Sequence, residues 1–74
     1  MRITIKLFAT FRQGRFRVAE QDVPEGTTIA EVLAALAIEE PDVGMLFVNG
    51  RHAEPERRLA AGTVLAIFPL VGGG

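Results

Sequence analysis

The segment from Thr28 to Leu36 constrains this chain more than any other, because its pattern admits one regular structure. Thr28 precedes Glu31 by three residues, the spacing of a capping box in which each side chain bonds the other residue's backbone N–H. Ile29, Val32, Leu33 and Leu36 then recur at helical spacing and make one apolar stripe. Ala30, Ala34, Ala35 and Ala37 favour the helix at little entropic cost. Pro41 prevents smooth continuation, so the helix is expected to stop near Ile38. A single stripe has to be buried against something, and the rest of the chain offers strands.

Arg2-Ile3-Thr4-Ile5-Lys6-Leu7 alternates polar and apolar residues with period two, as a half-buried strand does. Arg15-Phe16-Arg17-Val18 alternates again and reads as the second strand of a hairpin. The turn between them spans Phe8 to Gly14, with unusual backbone angles expected at Gly14. Alternation is lost from Ala19 to Asp22, where a bulge or strand end is expected, and Pro24-Glu25-Gly26 is a turn. Met45-Leu46-Phe47-Val48 is a short apolar third strand, followed by the turn dipeptide Asn49-Gly50. Ala53 to Gly62 is a charged connection with room for a short helical turn around Pro55-Glu56-Arg57-Arg58. Thr63 to Phe68 is the last strand, and Pro69 is expected to end its ladder pairing. This order, without repeats or internal linkers, describes a two-layer α+β domain with the helix packed on one sheet face.

Seventy-four residues make one domain, which buries only ~60% of its unfolded surface and needs an efficient core. The 49% hydrophobic content supports such a core and argues against disorder. Cysteine is absent, so neither disulfides nor thiolate metal sites are available. No apolar run approaches the ~20 residues that span a bilayer, and the N-terminus lacks the features of a signal peptide. The expectation is a cytoplasmic protein that does not engage a membrane.

The net charge is −1, but the charges are segregated. Arg2, Lys6, Arg12, Arg15 and Arg17 come first, and Glu20, Asp22, Glu25, Glu31, Glu39, Glu40 and Asp42 follow. A basic hairpin attracts nucleic acid in some proteins. Here the bases alternate with apolar residues and no exposed array of aromatics is evident. Attraction between a basic strand pair and an acidic helical segment is therefore the preferred reading, and no nucleic-acid partner is expected.

The tail Phe68-Pro69-Leu70-Val71-Gly72-Gly73-Gly74 is the feature that points to function. Residues 1–68 read as the domain and 69–74 as a flexible extension ending in glycines. From Pro69 onward it reaches ~20 Å when extended, at ~3.3–3.6 Å per residue. Glycine has no side chain to collide with the walls of a narrow slot, so Gly72, Gly73 and Gly74 suit entry into a partner's active site. A free α-carboxyl has a pKa of ~3.3–3.7 and is ionised at neutral pH, so it resists nucleophiles until an outside enzyme activates it. A frayed terminus is the competing reading.

The domain holds no chemistry of its own. There is no Ser, Cys, Tyr or Trp, one histidine and one lysine, so neither a catalytic triad nor a cysteine nucleophile can be assembled. No glycine-rich phosphate motif is present. His52 reads as a solvated loop residue, and Glu39, Glu40 and Asp42 lack calcium-loop spacing. No catalytic residue, resident cofactor or metal is expected; the chain is not an enzyme on its own.

Lys6-Leu7-Phe8-Ala9-Thr10-Phe11-Arg12, Pro24-Glu25-Gly26-Thr27-Thr28, Val48-Asn49-Gly50 and the closing Ala66 to Gly74 together resemble the MoaD/ThiS family of small sulfur carriers. The resemblance implies a β-grasp, ubiquitin-like fold: a mixed sheet of four to five strands, first and last adjacent, with one main helix across it. It also implies that an E1-like partner uses ATP to adenylate the carboxylate of Gly74. A sulfur donor then converts it to a thiocarboxylate, and an acceptor synthase takes the sulfur. Carried over by position, Gly73 and Gly74 match the terminal pair, while Phe8 and Phe68 match aromatics of the docking surface, continued by Pro69, Leu70 and Val71. Core packing is the alternative for both phenylalanines.

The acceptor implied is the large subunit of molybdopterin synthase or an enzyme of the thiazole-synthase type. The Phe-Pro segment and the Lys-Leu-Phe-Ala start look more like the molybdopterin branch. That branch commonly has proline where Leu70 stands and a small non-glycine residue where Gly72 stands, and Val-Gly-Gly-Gly is closer to some thiamin-thiazole carriers. Molybdopterin-type transfer is the preferred expectation. Two alternatives use the same residues differently: a ubiquitin-like modifier conjugated through Gly74, and a plain interaction domain that ignores the tail.

Overall fold

The computed structural model describes residues 1–70, which form β1 (Arg2–Leu7), β2 (Val18–Asp22), α1 (Ile29–Ala35), β3 (Val43–Val48), β4 (Arg51–His52) and β5 (Val64–Pro69). The strands make one sheet in the order β2-β1-β5-β3-β4, with β1 and β5 parallel and the other neighbours antiparallel. This is the β-grasp arrangement that the resemblance implied, in its five-stranded form. The stripe of α1 does what its spacing requires. Ile29, Val32 and Leu33 are buried together with Ile3, Ile5 and Leu7 of β1, Leu65 and Ile67 of β5, and Leu46 and Val48 of β3. Alternate residues of each central strand therefore face the helix, and those between them face the other side.

Both ends of α1 are closed by specific contacts. The capping box forms as expected: Glu31 N–H donates to Thr28 Oγ1 at 3.2 Å, and Thr28 N–H donates to Glu31 Oε1 at 2.8 Å. Two further N–H groups of the first turn donate across the molecule, Ile29 to Arg57 O at 3.0 Å and Ala30 to Pro55 O at 2.8 Å. These contacts explain why residues 55–58 form no helical turn. Their carbonyls close the start of α1, and only a tight turn with Arg57 N–H on Glu54 O remains locally.

At the other end α1 stops at Ala35, earlier than Ile38. Ala37 has φ of 58°, Ile38 N–H returns to Leu33 O at 2.9 Å, and Ala37 N–H returns to Ala34 O at 3.0 Å. That is a Schellman closure with alanine at the position glycine usually takes, and it turns Ile38 into the core. Arg15 completes the cap by donating to Leu36 O at 2.9 Å and Ala37 O at 3.2 Å, a cation at the negative end of the helix.

The second strand departs from expectation for a related reason. It runs from Val18 to Asp22, through the residues where alternation fails, and residues 15–17 lie before it. Its register on β1 runs from Lys6↔Val18 to Arg2↔Asp22. Arg15 is drawn to the end of α1, and β2 is an edge strand whose residues are at most half-buried, so it carries little of the apolar alternation by which strands are read. Gly14 takes the expected positive φ, 68°. The basic and acidic runs meet within this hairpin, where Arg2 lies 3.3 Å from Asp22 and 3.5 Å from Glu20. Among the described residues no ion pair joins the hairpin to the helical segment, contrary to the expected attraction between them.

Two turns position the last strand. Asn49 and Gly50 have φ of 50° and 83°, as a hairpin turn with both central residues left-handed requires, and Asn49 Oδ1 accepts the Val64 N–H at 2.8 Å. β3 begins at Val43, earlier than Met45, and contains an irregularity between Val43 and Met45. There a Cβ on Gly44 would lie 2.6 Å from the Pro69 carbonyl oxygen and 3.0 Å from Leu70 Cα, so only glycine allows the approach. Pro69 stays in the ladder opposite Val43, and Leu70 N–H donates to Asp42 O at 2.8 Å. Order in the strand thus continues past Phe68, because proline lacks only the donor and not the acceptor.

Three outcomes test this account. Ala37→Gly raises stability by about 0.5–1 kcal/mol in urea titration, since alanine's left-handed backbone costs more than glycine's extra chain entropy. Gly44→Ala lowers it by about 1–3 kcal/mol, the cost of forcing the backbone of β3 and β5 apart. The third concerns pH. The Thr28 N–H and hydroxyl hold the Glu31 carboxyl below its ordinary value of 4.5, and the Arg2 hydrogen bond and charge hold Asp22 below 3.8. Depressed carboxylates contribute stability above their ordinary pKa and lose it as pH falls through the folded value. Denaturant midpoints therefore decline on acidification below 4.5, and Glu31→Gln, which keeps the capping geometry, makes that decline shallower.

Candidate functional site

On the sheet face turned away from α1, β1 and β5 bring two distant phenylalanines together. The parallel register pairs Leu7 with Ile67, both buried, so the next residues, Phe8 and Phe68, stand side by side. Their rings stack with centroids 4.0 Å apart and an interplanar angle of 8°. Phe47 meets Phe68 edge-on at 5.7 Å, and His52 meets Phe47 edge-on at 6.3 Å. Stacked and edge-on aromatic contacts of this kind add roughly 0.5–1.5 kcal/mol per pair beyond area burial. Ala66 is the β5 partner of Phe47, and its small side chain leaves room for the rings to meet.

The three phenylalanines are half-buried, and Met45 and Leu70 extend the apolar surface with 47% and 68% exposure. Large exposed apolar side chains gathered on one face of a small domain mark a contact surface. Phe8 is therefore not a core residue; the nearby Phe11, on a 3-10 turn at Ala9–Arg12, takes the core position. Pro69, grouped with the docking residues in the sequence, is instead buried and paired with Val43 in the sheet. Leu70 leaves the sheet beside the aromatic cluster, held by the Asp42 carbonyl. Val71, Gly72, Gly73 and Gly74 lie outside the described residues.

Arg12 borders the cluster. Its Nε donates to Leu7 O at 2.7 Å, and its guanidinium carbon lies 5.3 Å from the centre of the Phe8 ring. Lys6 and Arg17 complete the lining of a shallow cleft with Leu7, Phe8, Arg12 and Val18. The resemblance named Phe8 and Phe68 as docking aromatics, with core packing as the alternative; that Phe47, Met45, His52 and Arg12 join them was not expected from the sequence. Phe47 sits in an uninterrupted apolar run whose pattern assigns no face. Phe8 and Phe68 become neighbours only through the pairing of the first and last strands.

Among the described residues no group of His, Asp or Glu could hold a metal ion, and no helix is long and apolar enough to cross a membrane. His52 is exposed, with Nδ1 3.9 Å from Glu54 Oε1.

No curated protein matches the chain at a significant level. Among solved structures it is similar to SAMP1 from Haloferax volcanii, with 31% identity, full coverage of both chains and a TM-score of 0.76. It is also similar to a putative molybdopterin converting factor, subunit 1, from Pyrococcus furiosus, with 27% identity over 96% of this chain and 99% of that one, and a TM-score of 0.76. A chain in the complex of subunits 1 and 2 of molybdopterin-converting factor from Helicobacter pylori is alike in fold alone, at 17% identity, full coverage of both chains and a TM-score of 0.67. These neighbours share the ubiquitin-like β-grasp fold. The model of the ThiS family matches residues 5–74, from the first strand through the closing glycines, and the chain belongs to that family.

Proposed function

We propose that the chain is a sulfur carrier whose Gly74 carboxylate is adenylated by an E1-like enzyme and converted to a thiocarboxylate. The observation that carries this reading is the family match, which continues through the glycine run to residue 74. The apolar face beside the exit of Leu70 supports it, because a carrier needs a surface that seats the partner while the tail reaches the active site. The carboxylate oxygen attacks the α-phosphate of ATP and releases pyrophosphate, giving an acyl-adenylate. Hydrosulfide supplied by the donor then attacks the acyl carbon; the C–O bond to AMP breaks as the C–S bond forms, and loss of the S–H proton leaves the thiocarboxylate. ATP belongs to the activating enzyme, and the carrier needs no cofactor of its own. Pro69 stays in the sheet, so the residues after Leu70 act as the delivery arm, with Phe8, Phe68, Leu70 and Val71 at the docking surface.

The acceptor we propose is a molybdopterin-type synthase rather than a thiazole synthase. Phe68-Pro69 and the likeness to the Pyrococcus furiosus protein support that branch. A second reading, conjugation of Gly74 to a target lysine as a modifier, is favoured by the 31% identity to SAMP1, a small archaeal modifier protein.

The deciding measurement is the intact mass of the untagged protein incubated with ATP, a sulfur source and the E1-like enzyme of its host. A gain equal to one oxygen-to-sulfur exchange, mapped to Gly74, is the expected result. Deleting Gly74 leaves the melting temperature unchanged and abolishes the gain. Loss of folding in that variant, or normal loading, overturns the role given to the tail. Isopeptide-linked adducts without any thiocarboxylate move the assignment to the modifier.

A further inference from the structure

We infer that the cleft formed by Lys6, Arg12 and Arg17 beside Phe8 receives carboxylate side chains of the activating enzyme, which seats its apolar surface on the neighbouring phenylalanines. The inference rests on the sulfur-carrier reading and adds the chemistry of the partner's surface to it.

Three observations meet at this cleft. The first is unmatched charge. The ion pairs among the described residues join Arg2 to Glu20 and Asp22, and His52 to Glu54, and none includes Lys6, Arg12 or Arg17. Three cations lining one cleft give it a positive potential that attracts anionic groups. The second is preorganisation. Arg12 is fixed by its bond to Leu7 O and by the Phe8 ring, so its terminal N–H groups are held at the edge of the aromatic cluster at little entropic cost on binding. The third is continuity. Phe8 lines the cleft and stacks on Phe68, two residues before Leu70 leaves the sheet, so a partner that accepts the tail covers the cations as well. Lys6 and Arg17 are exposed and stand at the rim, where charges set encounter rate and salt dependence.

The alternatives are nucleic acid and an anionic lipid surface. The proteinaceous partner is favoured because the cations border apolar, mutually packed rings rather than rings splayed for base stacking.

The test uses the full chain with the host's E1-like enzyme, ATP and a sulfur source, following thiocarboxylate formation by mass. Lys6→Gln/Arg12→Gln/Arg17→Gln is expected to raise KM for the carrier roughly tenfold with kcat retained, and to flatten the dependence of KM on salt. Lys6→Gln/Arg17→Gln leaves the Arg12 contacts intact and guards against misfolding; it shows a smaller change in the same direction. Arg57→Gln, on the connection that caps α1, changes neither parameter. Unchanged KM and salt dependence in both cleft variants, while the native chain loads, overturns the inference and leaves the carrier reading standing. No loading of the native chain overturns both. Native loading with unchanged KM, together with cleft-dependent binding to polyuridylate or to phosphatidylglycerol vesicles at low salt, reassigns the cleft to that ligand.

Discussion

The parallel pairing of β1 with β5 is the contact on which the rest of the molecule depends, because it joins the first and last strands, which no local contact brings together. Thr4 to Leu7 align with Val64 to Ile67, and this register places Ile3, Ile5 and Leu7 beside Leu65 and Ile67 under α1. A slip of one residue would turn one strand's set to the opposite face, so the core and the register enforce each other. In a domain without disulfides this mutual constraint stabilises the fold. The same register sets Phe8 against Phe68 on the opposite face.

The two faces of the sheet divide the work. The helix face is aliphatic and closed, with α1 fastened at its start by carbonyls of residues 55 and 57 and at its end by Arg15. The other face holds the aromatic cluster and no element of the described chain covers it. Small domains can leave such a face open only if the remaining core suffices, and here fourteen hydrophobic residues among those described form one buried cluster. Gly44 and Asp42 then bring β5 out against β3 so that Leu70 emerges beside the open face. The aromatic cluster and Leu70 are thus fixed relative to one another by backbone geometry.

Charge is distributed on the same plan. Acid and base are paired at the start of β1, where Arg2 meets Glu20 and Asp22, while basic residues gather around Phe8 at its end. Exposed pairs of the first kind contribute little to stability. Clustered cations of the second kind matter for what approaches the face.

Local physics made several elements legible in the residues themselves. The capping box at Thr28 and Glu31, the stripe from Ile29 to Leu33 and the turn at Asn49-Gly50 depend on neighbours within four residues, and each formed where its pattern placed it. The family resemblance, carried by motifs spread along the chain, supplied the topology that periodicity alone leaves open. Elements decided by distant partners were read less well: β2 runs where alternation fails because β1 pairs with it, and residues 55–58 stay non-helical because α1 takes their carbonyls. The resemblance named Phe8 and Phe68 as docking aromatics, but the geometry of the cluster and the place of Phe47 in it belong to tertiary structure. Phe8, Phe47 and Phe68 share no local pattern, and only strand pairing makes them neighbours. Sequence by itself determined the helix, the turns and the glycine run, since these need only short-range sterics and capping. Tertiary structure decided the contact face and the exit of the tail, since both depend on the register between strands far apart in the chain.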